Sequence, residues 1–563
     1  MSGLQKLRIT IILLLFCLMY SVVVVRLFYW QVVKSSELKQ MGINQSGEAI
    51  DIPAKRGDII SSDNYPFATT RVSYLLYANP KFIKNNSLKY ANEISPLLNL
   101  DKEKVADLLS KDLYWVKLAD NLDQNQKSAI EKLNVPGLGF QENDLRFYPE
   151  ASMAAHLIGF LGRDKNGSGK GYFGLEGYYN DQLSGRAGKQ YLIHDALGNP
   201  VLNDLREEKK IDGRSLVLNI DRTVQFIAEK KLKEGIEKYE AEGGSAIIMD
   251  PQSGRILAMA SFPRFNPQKY YEFDYDTYRN PVIANLYEPG STFKVLVMSA
   301  AIDLRVLKPD TKCNICSGPV TIGDYTVKTW NGKYYPDSTM AEVIQHSDNT
   351  GMVYVGKKLG LDNLTTYIKS FGIGQETQID LEGEESARIR DKKDWYPIDL
   401  ATASFGQGIS VNPMQLLTAV SSIANGGNLI KPFVVSQIIT EDGKKIDIKP
   451  QITRRVISEI TAKIVTQMMV NAVENGEAKW TKLDNYKVAG KTGTAQIPIQ
   501  GHYDPKETIA SFVGFFPADN PKVSMLVLVH KPKTSIYGAE TAAPIFFSIA
   551  RDLVNYYSIP PTN

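Results

Sequence analysis

The strongest hydrophobic pattern in the chain is a continuous apolar run near its N-terminus. Almost every residue of Ile9–Val25 is apolar, and positive charges stand on either side at Arg8 and Arg26. A helix of this length nearly crosses the hydrocarbon core of a bilayer. We therefore predict a membrane anchor over 9–30, with a cytoplasmic tail over 1–8 and the rest of the chain outside. A cleaved signal peptide is the alternative, but no cleavage site of small residues follows the run.

Further along, short apolar runs bounded by turn residues predict strands. The predicted strands are Ser215–Ile220, Ser245–Asp250, Ile256–Ala260, Ser511–Phe516 and Val523–Val529. An amphipathic helix from about Ala543 to Tyr556 closes the region. Since strands at both ends enclose a helical middle, we predict one sheet of distant segments with a helical insertion over 213–558. Residues 31–212 form a separate, mixed α/β domain in this interpretation.

Composition and charge narrow the function classes. The 563 residues carry a formal net charge of +3, which argues against a dedicated nucleic-acid-binding protein because such proteins concentrate basic residues in a patch. Cys17 lies in the predicted anchor, while Cys313 and Cys316 form a C-x-x-C on a predicted loop. A zinc site would need a second ligand pair, and the sequence shows none nearby. Outside the cell, a local disulfide and two free thiols both remain open for this pair.

The first motif that carries chemistry is the S-x-x-K tetrapeptide formed by Ser291 and Lys294, at the start of a predicted helix over Thr292–Leu304. Residues three apart share a helical face, so the two side chains can meet. A serine hydroxyl is a weak nucleophile and needs a base. Lysine becomes that base when burial or neighbouring positive charge lowers its pKa. Apolar neighbours would supply the burial, and Lys491 would supply the charge if it shares the site. Alone, the tetrapeptide is equally compatible with the start of an ordinary amphipathic helix.

The second motif is the triplet Ser347-Asp348-Asn349. Thr339 and Glu342 predict a capping box at the start of a helix over Met340–Gln345, and Gly351–Leu359 predicts the next helix. The triplet would therefore lie in the connection between two helices. By itself it is ordinary turn chemistry.

The third motif, Lys491-Thr492-Gly493-Thr494, lies inside a predicted strand. Glycine weakens a strand unless another group must approach the backbone closely. A substrate strand lying along this edge would be such a group. A plain edge strand with surface lysine and threonine is the alternative.

Together and in this order, S-x-x-K, S-x-N and K-T-G resemble the signature of penicillin-binding proteins and class A β-lactamases, and the chain is similar to the monofunctional class B transpeptidases. The resemblance implies an α/β serine-transpeptidase domain, an N-terminal mixed α/β pedestal domain and a single transmembrane helix in a bacterial cell membrane. It implies that Ser291 attacks the D-Ala-D-Ala stem peptide of peptidoglycan, or a β-lactam, without metal or organic cofactor.

The resemblance also implies roles for the other motif residues. Ser347 would relay protons between Lys294 and the leaving amine, and Asn349 would hold the peptide group of the substrate. The N–H groups of Ser291 and Thr494 would form the oxyanion hole. Lys491 and Thr492 would bind the substrate's terminal carboxylate, with Gly493 on the strand between the binding residues.

Several segments of the N-terminal half also resemble the pedestal domain of this family. They are Arg56–Asn64, Arg146–Pro149, His156–Gly159 and Gly174–Glu176. Their residues suit turns and ion pairs, so we expect them to hold the shape of the domain and to take no part in chemistry.

The resemblance implies a polytopic glycan polymerase of the division or elongation complex as a membrane partner, and no nucleic acid. Glu288 and Gly406-Gln407-Gly408 favour the division-type branch, whereas the Ser347-Asp348-Asn349 triplet points slightly away from it. The alternatives are an elongation-type transpeptidase, a D,D-carboxypeptidase or β-lactamase, and a catalytically silent scaffold or β-lactam sensor.

Overall fold

The computed structural model describes residues 3–38, 41, 47–83, 86–194, 200–201, 207–499 and 502–562. In chain order the strands are β1 (Gly47–Ile52), β2 (Ile59–Ile60), β3 (Pro66–Ala78), β4 (Val116–Leu122), β5 (Leu138–Phe147), β6 (Phe160–Arg163), β7 (Gly169–Tyr172), β8 (Gly188–His194), β9 (Pro200–Val201), β10 (Glu207–Glu208), β11 (Ser215–Leu218), β12 (Gly243–Met249), β13 (Ile256–Phe262), β14 (Val320–Ile322), β15 (Tyr325–Val327), β16 (Asn428–Ile430), β17 (Val435–Ile439), β18 (Lys445–Asp447), β19 (Ile452–Arg455), β20 (Ala489–Ile499), β21 (His502–Phe516) and β22 (Val523–His530).

The α-helices are α1 (Gly3–Phe28), α2 (Pro80–Ile83), α3 (Ser87–Leu98), α4 (Lys102–Ser110), α5 (Gln124–Glu131), α6 (Ala155–Ile158), α7 (Gly174–Tyr178), α8 (Asn180–Leu183), α9 (Arg222–Lys238), α10 (Pro281–Ala284), α11 (Lys294–Asp303), α12 (Met340–Gln345), α13 (Asn349–Leu359), α14 (Leu361–Ser370), α15 (Pro397–Ala403), α16 (Pro413–Ala424), α17 (Glu459–Asn475) and α18 (Ala542–Tyr556).

The chain divides into two compact units, of which the first comprises residues 1–55 and 185–213. It contains α1, which continues without a break into a π-helix, and an 18-residue stretch within Gly3–Val33 has a mean hydropathy of 2.7. Among the described residues this is the one helix long and apolar enough to cross a membrane. The unit also contains a small sheet in which β8 pairs antiparallel with β1, β9 and β10.

The second unit comprises residues 56–184 and 214–563 and contains an antiparallel sheet with the strand order β13-β12-β22-β21-β20. One face of this sheet packs against α9 and α18, and the other packs against the helices between β13 and β20. Because both faces are covered, β12 and β22 are apolar along almost their whole length. The predicted sheet of distant segments with a helical insertion is thereby confirmed for four of the predicted strands. The remaining one, Ser215–Ile220, was wrongly placed, since β11 pairs with β2 and β17 in a separate sheet.

Several local predictions are confirmed in this unit. The predicted strands β12 and β13 pair with each other in a hairpin, and β21 pairs with β22. The capping box of Thr339 and Glu342 opens α12 as expected. A further cap is Asp221 at the start of α9, where its side chain accepts from two backbone N–H groups. The pair left open by the sequence, Cys313 and Cys316, is joined by a disulfide.

Three of the four pedestal segments, those with Arg56, Arg146 and Glu176, meet in one buried ion cluster around Glu176, whose side chain is fully buried. Its two carboxylate oxygens accept from Arg56 Nε and Arg146 Nε, each at 2.7 Å. Arg146 also donates to the Gly57 carbonyl at 2.7 Å. Burial by itself raises the pKa of Glu176, but Arg146 and Arg56 outweigh burial and hold the pKa below its usual value. These three segments therefore form the kind of ion pair within the fold that their residue types predicted.

Replacing Glu176 by Gln should leave Arg56 and Arg146 as buried charges without a counterion. Removing one partner of a buried pair costs roughly 3–5 kcal/mol, so we expect a large drop in the thermal unfolding midpoint of the protein in detergent. Asp120→Asn, which removes a solvent-exposed pair with Lys117, is the matched control and should change the midpoint little. Equal midpoints for both variants would show that the cluster does not stabilise the fold.

Candidate active site

Ser291 lies in a 3₁₀ turn, Gly290–Phe293, that leads directly into α11. The helix predicted over Thr292–Leu304 therefore begins two residues earlier, at Gly290, and its first turn is wound more tightly than an α-helix. The turn is held by the Gly406 loop, because the Gly290 N–H donates to the Gly406 carbonyl at 3.0 Å. Gly406 has a φ of +84°, and a Cβ there would lie 2.2 Å from the Gly290 oxygen. The G-Q-G segment thus fits closely behind the serine.

Lys294 is the centre of the site and is fully buried. Its ammonium donates to the Ser347 carbonyl at 2.6 Å, to Asn349 Oδ1 at 2.7 Å and to Ser347 Oγ at 3.3 Å. These are its hydrogen bonds within the described residues, and Ser291 is not among the acceptors. The first two motifs are therefore joined through Lys294.

The pKa of Lys294 is lowered to about 7, first by burial and then by the positive charge of Lys491. Glu477 and Asp348 oppose this shift. A lysine in this range is neutral in a large fraction of molecules near neutral pH, so it can accept a proton from a hydroxyl group.

The Ser347-Asp348-Asn349 triplet runs from the end of α12 into the first residue of α13. Asp348 caps α13, since its Oδ1 accepts from Thr350 N at 2.7 Å and Gly351 N at 3.2 Å. Ser347 has a φ of +55° and is buried. The Asn349 amide nitrogen donates to the Lys328 carbonyl at 3.1 Å. Asp348 thus fixes the loop, while its neighbours present their polar atoms to Lys294.

Lys491, Thr492, Gly493 and Thr494 lie on β20, at the edge of the sheet. A Cβ at Gly493 would lie 2.4 Å from Ser511 Oγ and 2.8 Å from the methyl group of Thr292. The glycine is therefore required by packing within the protein, between β21 and the turn that carries Ser291. A Cβ on Gly290 would likewise lie 3.2 Å from the Thr494 carbonyl. The strand and the serine turn thus meet along their backbones.

The third motif also includes a contact that sequence reasoning missed. The Lys491 ammonium donates to Thr492 Oγ1 at 3.0 Å, and the Thr492 hydroxyl donates to Glu477 Oε2 at 2.8 Å. Burial lowers the pKa of Lys491, and Glu477 opposes that shift. Glu477 lies fourteen residues before the motif lysine and belongs to no motif, so no local pattern signals it.

An aromatic pair at the rim was missed as well. The rings of Trp330 and Tyr537 meet edge to face with centroids 5.3 Å apart. Trp330 follows closely on Lys328, the hydrogen-bond partner of Asn349, while Tyr537 precedes Gly538, whose N–H donates to Thr494 Oγ1 at 3.1 Å. The pair therefore joins the loop beside the second motif to the loop beside the third.

Comparison with known proteins agrees with this arrangement. Residues 244–551 match the family model of the penicillin binding protein transpeptidase domain, and residues 51–218 match that of the penicillin-binding protein dimerisation domain. Stage V sporulation protein D of Bacillus subtilis is 33% identical, over 97% of this chain and 86% of its own. The peptidoglycan D,D-transpeptidase FtsI of Escherichia coli is 28% identical, over 95% of this chain and 89% of its own.

Solved structures are similar over most of the chain. Penicillin-binding protein 2X of Streptococcus thermophilus is 25% identical with a TM-score of 0.76, over 91% of this chain and 80% of its own. Penicillin-binding protein 3 of Mycobacterium tuberculosis, complexed with aztreonam, is 25% identical with a TM-score of 0.71, over 91% of this chain and 98% of its own. The order of the two domains, the three motifs gathered around Lys294 and the near full-length likeness together show that this chain belongs to the class B penicillin-binding proteins.

Proposed function

We propose that this protein is a peptidoglycan D,D-transpeptidase that works through an acyl-enzyme on Ser291 and is inactivated by β-lactams at the same residue. The family is that of serine-type D-Ala-D-Ala transpeptidases, which bind stem peptides and β-lactams. The observation that carries the proposal is the buried Lys294, whose ammonium joins the first two motifs while Lys491 lies close enough to lower its pKa.

In the acylation step, neutral Lys294 takes the proton of Ser291 as the hydroxyl oxygen attacks the carbonyl of the penultimate D-Ala. The terminal D-Ala leaves as an amine, which must gain a proton. Ser347 Oγ, 3.3 Å from the Lys294 nitrogen, is the group that passes this proton on. In the second half-reaction a neighbouring stem peptide's amine attacks the acyl group, and the proton transfers run in reverse.

Hydrogen-bond donors around the reacting carbon supply the electrostatic stabilisation. The N–H groups of Ser291 and Thr494 receive the oxyanion, an arrangement supported by the close approach of Gly290 to the Thr494 backbone. Asn349 uses one amide hydrogen on Lys328 and keeps the other for the substrate's peptide group. Lys491 binds the terminal carboxylate, while the neighbouring Thr492 hydroxyl, which accepts from Lys491 and donates its proton to Glu477, orients that lysine. The peptide adds alongside the edge of β20.

The domain layout and location belong to the same proposal. Residues 1–8 would stay in the cytoplasm, 9–30 would cross the bacterial cell membrane, 31–212 would form the pedestal and 213–558 the catalytic domain outside. The apolar helix Gly3–Val33 supports the anchor. The matches to the dimerisation and transpeptidase domain models support the two outer parts.

We assign the enzyme to septal wall synthesis with a polytopic membrane glycan polymerase as partner. The carboxylate of Glu288 accepts from the Gly408 N–H at 3.0 Å, which joins the two segments that resemble the division-type branch. Sporulation is the second candidate, because the 33% identical relative carries that name. A fluorescent fusion found along the lateral wall, rather than at septa, would instead indicate an elongation enzyme.

The nucleophile is tested by replacing Ser291 with Ala. We expect covalent labelling by fluorescent penicillin to disappear while the thermal unfolding midpoint stays close to that of the wild type, because only one hydroxyl is lost. Ser299→Ala, on the same helix with its hydroxyl bonded to a backbone carbonyl, is the control and should still be labelled. A penicilloyl adduct on any residue other than Ser291, found by mass spectrometry, would remove the assignment. Labelling without release of D-Ala from a pentapeptide substrate would indicate a β-lactam sensor.

The base is tested by the pH dependence of acylation. Lys294 must be neutral to accept a proton, so the acylation rate constant should rise with pH and reach half its plateau at a pH of about 7. Lys294→Ala should reduce the rate roughly 10²–10⁴-fold, the usual worth of a positioned base, and should abolish that rise. A wild-type rate that is constant from pH 5.5 to 8.5 would contradict the role of Lys294.

Carboxylate recognition is tested with two acylating agents, benzylpenicillin and its methyl ester. If Lys491 binds the carboxylate, Lys491→Ala should penalise benzylpenicillin far more than the ester. Equal penalties would mean that Lys491 serves mainly to tune Lys294. The carboxylate would then have to be bound by Thr492, Thr494 or another group.

A further inference from the structure

Glu477 is held against the active site by the way α17 ends. The helix ends at Asn475, and the next residue is Gly476. A Cβ at this position would lie 2.2 Å from the Ala472 oxygen and 2.8 Å from the Gln345 oxygen, which is too close for a side chain. Gln345 is the last residue of α12, which leads into Ser347. The chain therefore passes close to the end of α12, next to the second motif, and then brings Glu477 into contact with Thr492 of the third motif.

The hydrogen bonds of Glu477 form a chain with a fixed direction. Lys491 Nζ donates to Thr492 Oγ1, and the one proton of that hydroxyl is donated to Glu477 Oε2. The other carboxylate oxygen, Oε1, is buried and has no hydrogen-bond partner within the described residues. A half-buried carboxylate with one buried oxygen and a single hydrogen bond within the described residues is stabilised mainly by neighbouring positive charge. Lys491 is the neighbour that can supply it.

The charged groups around Lys491 are few. Lys294 faces it from α11, Glu477 from the segment after α17, and Asp348 acts on Lys294 from the N-terminus of α13. Asp348 already accepts hydrogen bonds from the N–H groups of its helix. Glu477 is thus the carboxylate linked by hydrogen bonds to the third motif, on the side of Lys491.

We infer that Glu477 is a positioning residue that keeps Lys491 positively charged, so that Lys491 meets the substrate carboxylate as a cation while Lys294 serves Ser291 as a neutral base. Two buried lysines in one site cannot both keep their charge at low cost, and the hydrogen-bonded carboxylate decides which of them does. The inference rests on the proposed function and adds to it a residue outside the three motifs.

The test uses Glu477→Gln, which keeps an oxygen to accept from Thr492 and removes only the charge. The measured quantity is the ratio of acylation rate constants for benzylpenicillin and its methyl ester, from pH 6 to pH 8.5, on the full-length protein in detergent. Both reagents need neutral Lys294, so its titration cancels in the ratio. The charge of Lys491 does not cancel.

In the wild type the ratio should be well above one and constant with pH. Losing Glu477 lowers the pKa of Lys491, so its charge is lost first at high pH. Each unit of pKa shift reduces the charged fraction of a mostly neutral lysine about tenfold, and we expect the ratio of the variant to fall about tenfold at pH 8.5. Because protonation at pH 6 restores the charge, the ratio should recover toward the wild-type value there.

Glu474→Gln is the matched control, since Glu474 is exposed on the last turn of α17 and should leave the ratio unchanged. Equal slowing of both reagents by Glu477→Gln would indicate a merely structural role and overturn the inference. So would a wild-type ratio that falls steeply between pH 6 and pH 8.5, a result that needs no variant to fold. Failure of the proposed function is distinct from these outcomes, because wild-type Ser291 would then react with neither reagent.

Discussion

The site depends on the removal of one lysine from water. Lys294 is enclosed by the body of the helical region, with Ser347 and Asn349 as its polar partners. Burial without a carboxylate in direct contact is the main cause that brings its pKa to about 7. The same contacts hold the turn of Ser291 against the loop of the second motif. In the proposed mechanism, one desolvated side chain is therefore both the base and the group that fixes the geometry in which the base acts.

The surrounding fold packs closely around the site and thereby keeps Lys294 buried. The sheet is covered on both faces, and its edge strand β20 lies against the serine turn at Gly493 and Gly290, where neither residue has a side chain that would hold the two segments apart. The G-Q-G loop supports the same turn from behind through Gly406. These close backbone contacts leave little freedom at the reacting groups, which is what preorganised catalysis requires.

In the proposed mechanism Lys294 and Lys491, two identical side chains, have different tasks. Their surroundings differ: the charge of Lys491 lowers the pKa of Lys294, whereas the causes acting on Lys491 are burial and the opposing charge of Glu477. Asp348 is engaged in capping a helix, whereas Glu477 is connected to Lys491 through the Thr492 hydroxyl. The pedestal contains the opposite arrangement, in which two arginines keep the buried Glu176 ionised.

The sequence by itself determined the elements with strong local signals. The apolar run of α1, the hairpin of β12 and β13, the capping box at Thr339 and the three motifs could all be recognised, because each depends on residues near one another in the chain. Tertiary structure alone decided the tight turn at Ser291, the partners of Lys294 and the reason for Gly493. Glu477 and the pair of Trp330 and Tyr537 also escaped the sequence. Their significance comes from groups that are distant in the chain and close in space, and no spacing rule encodes such contacts.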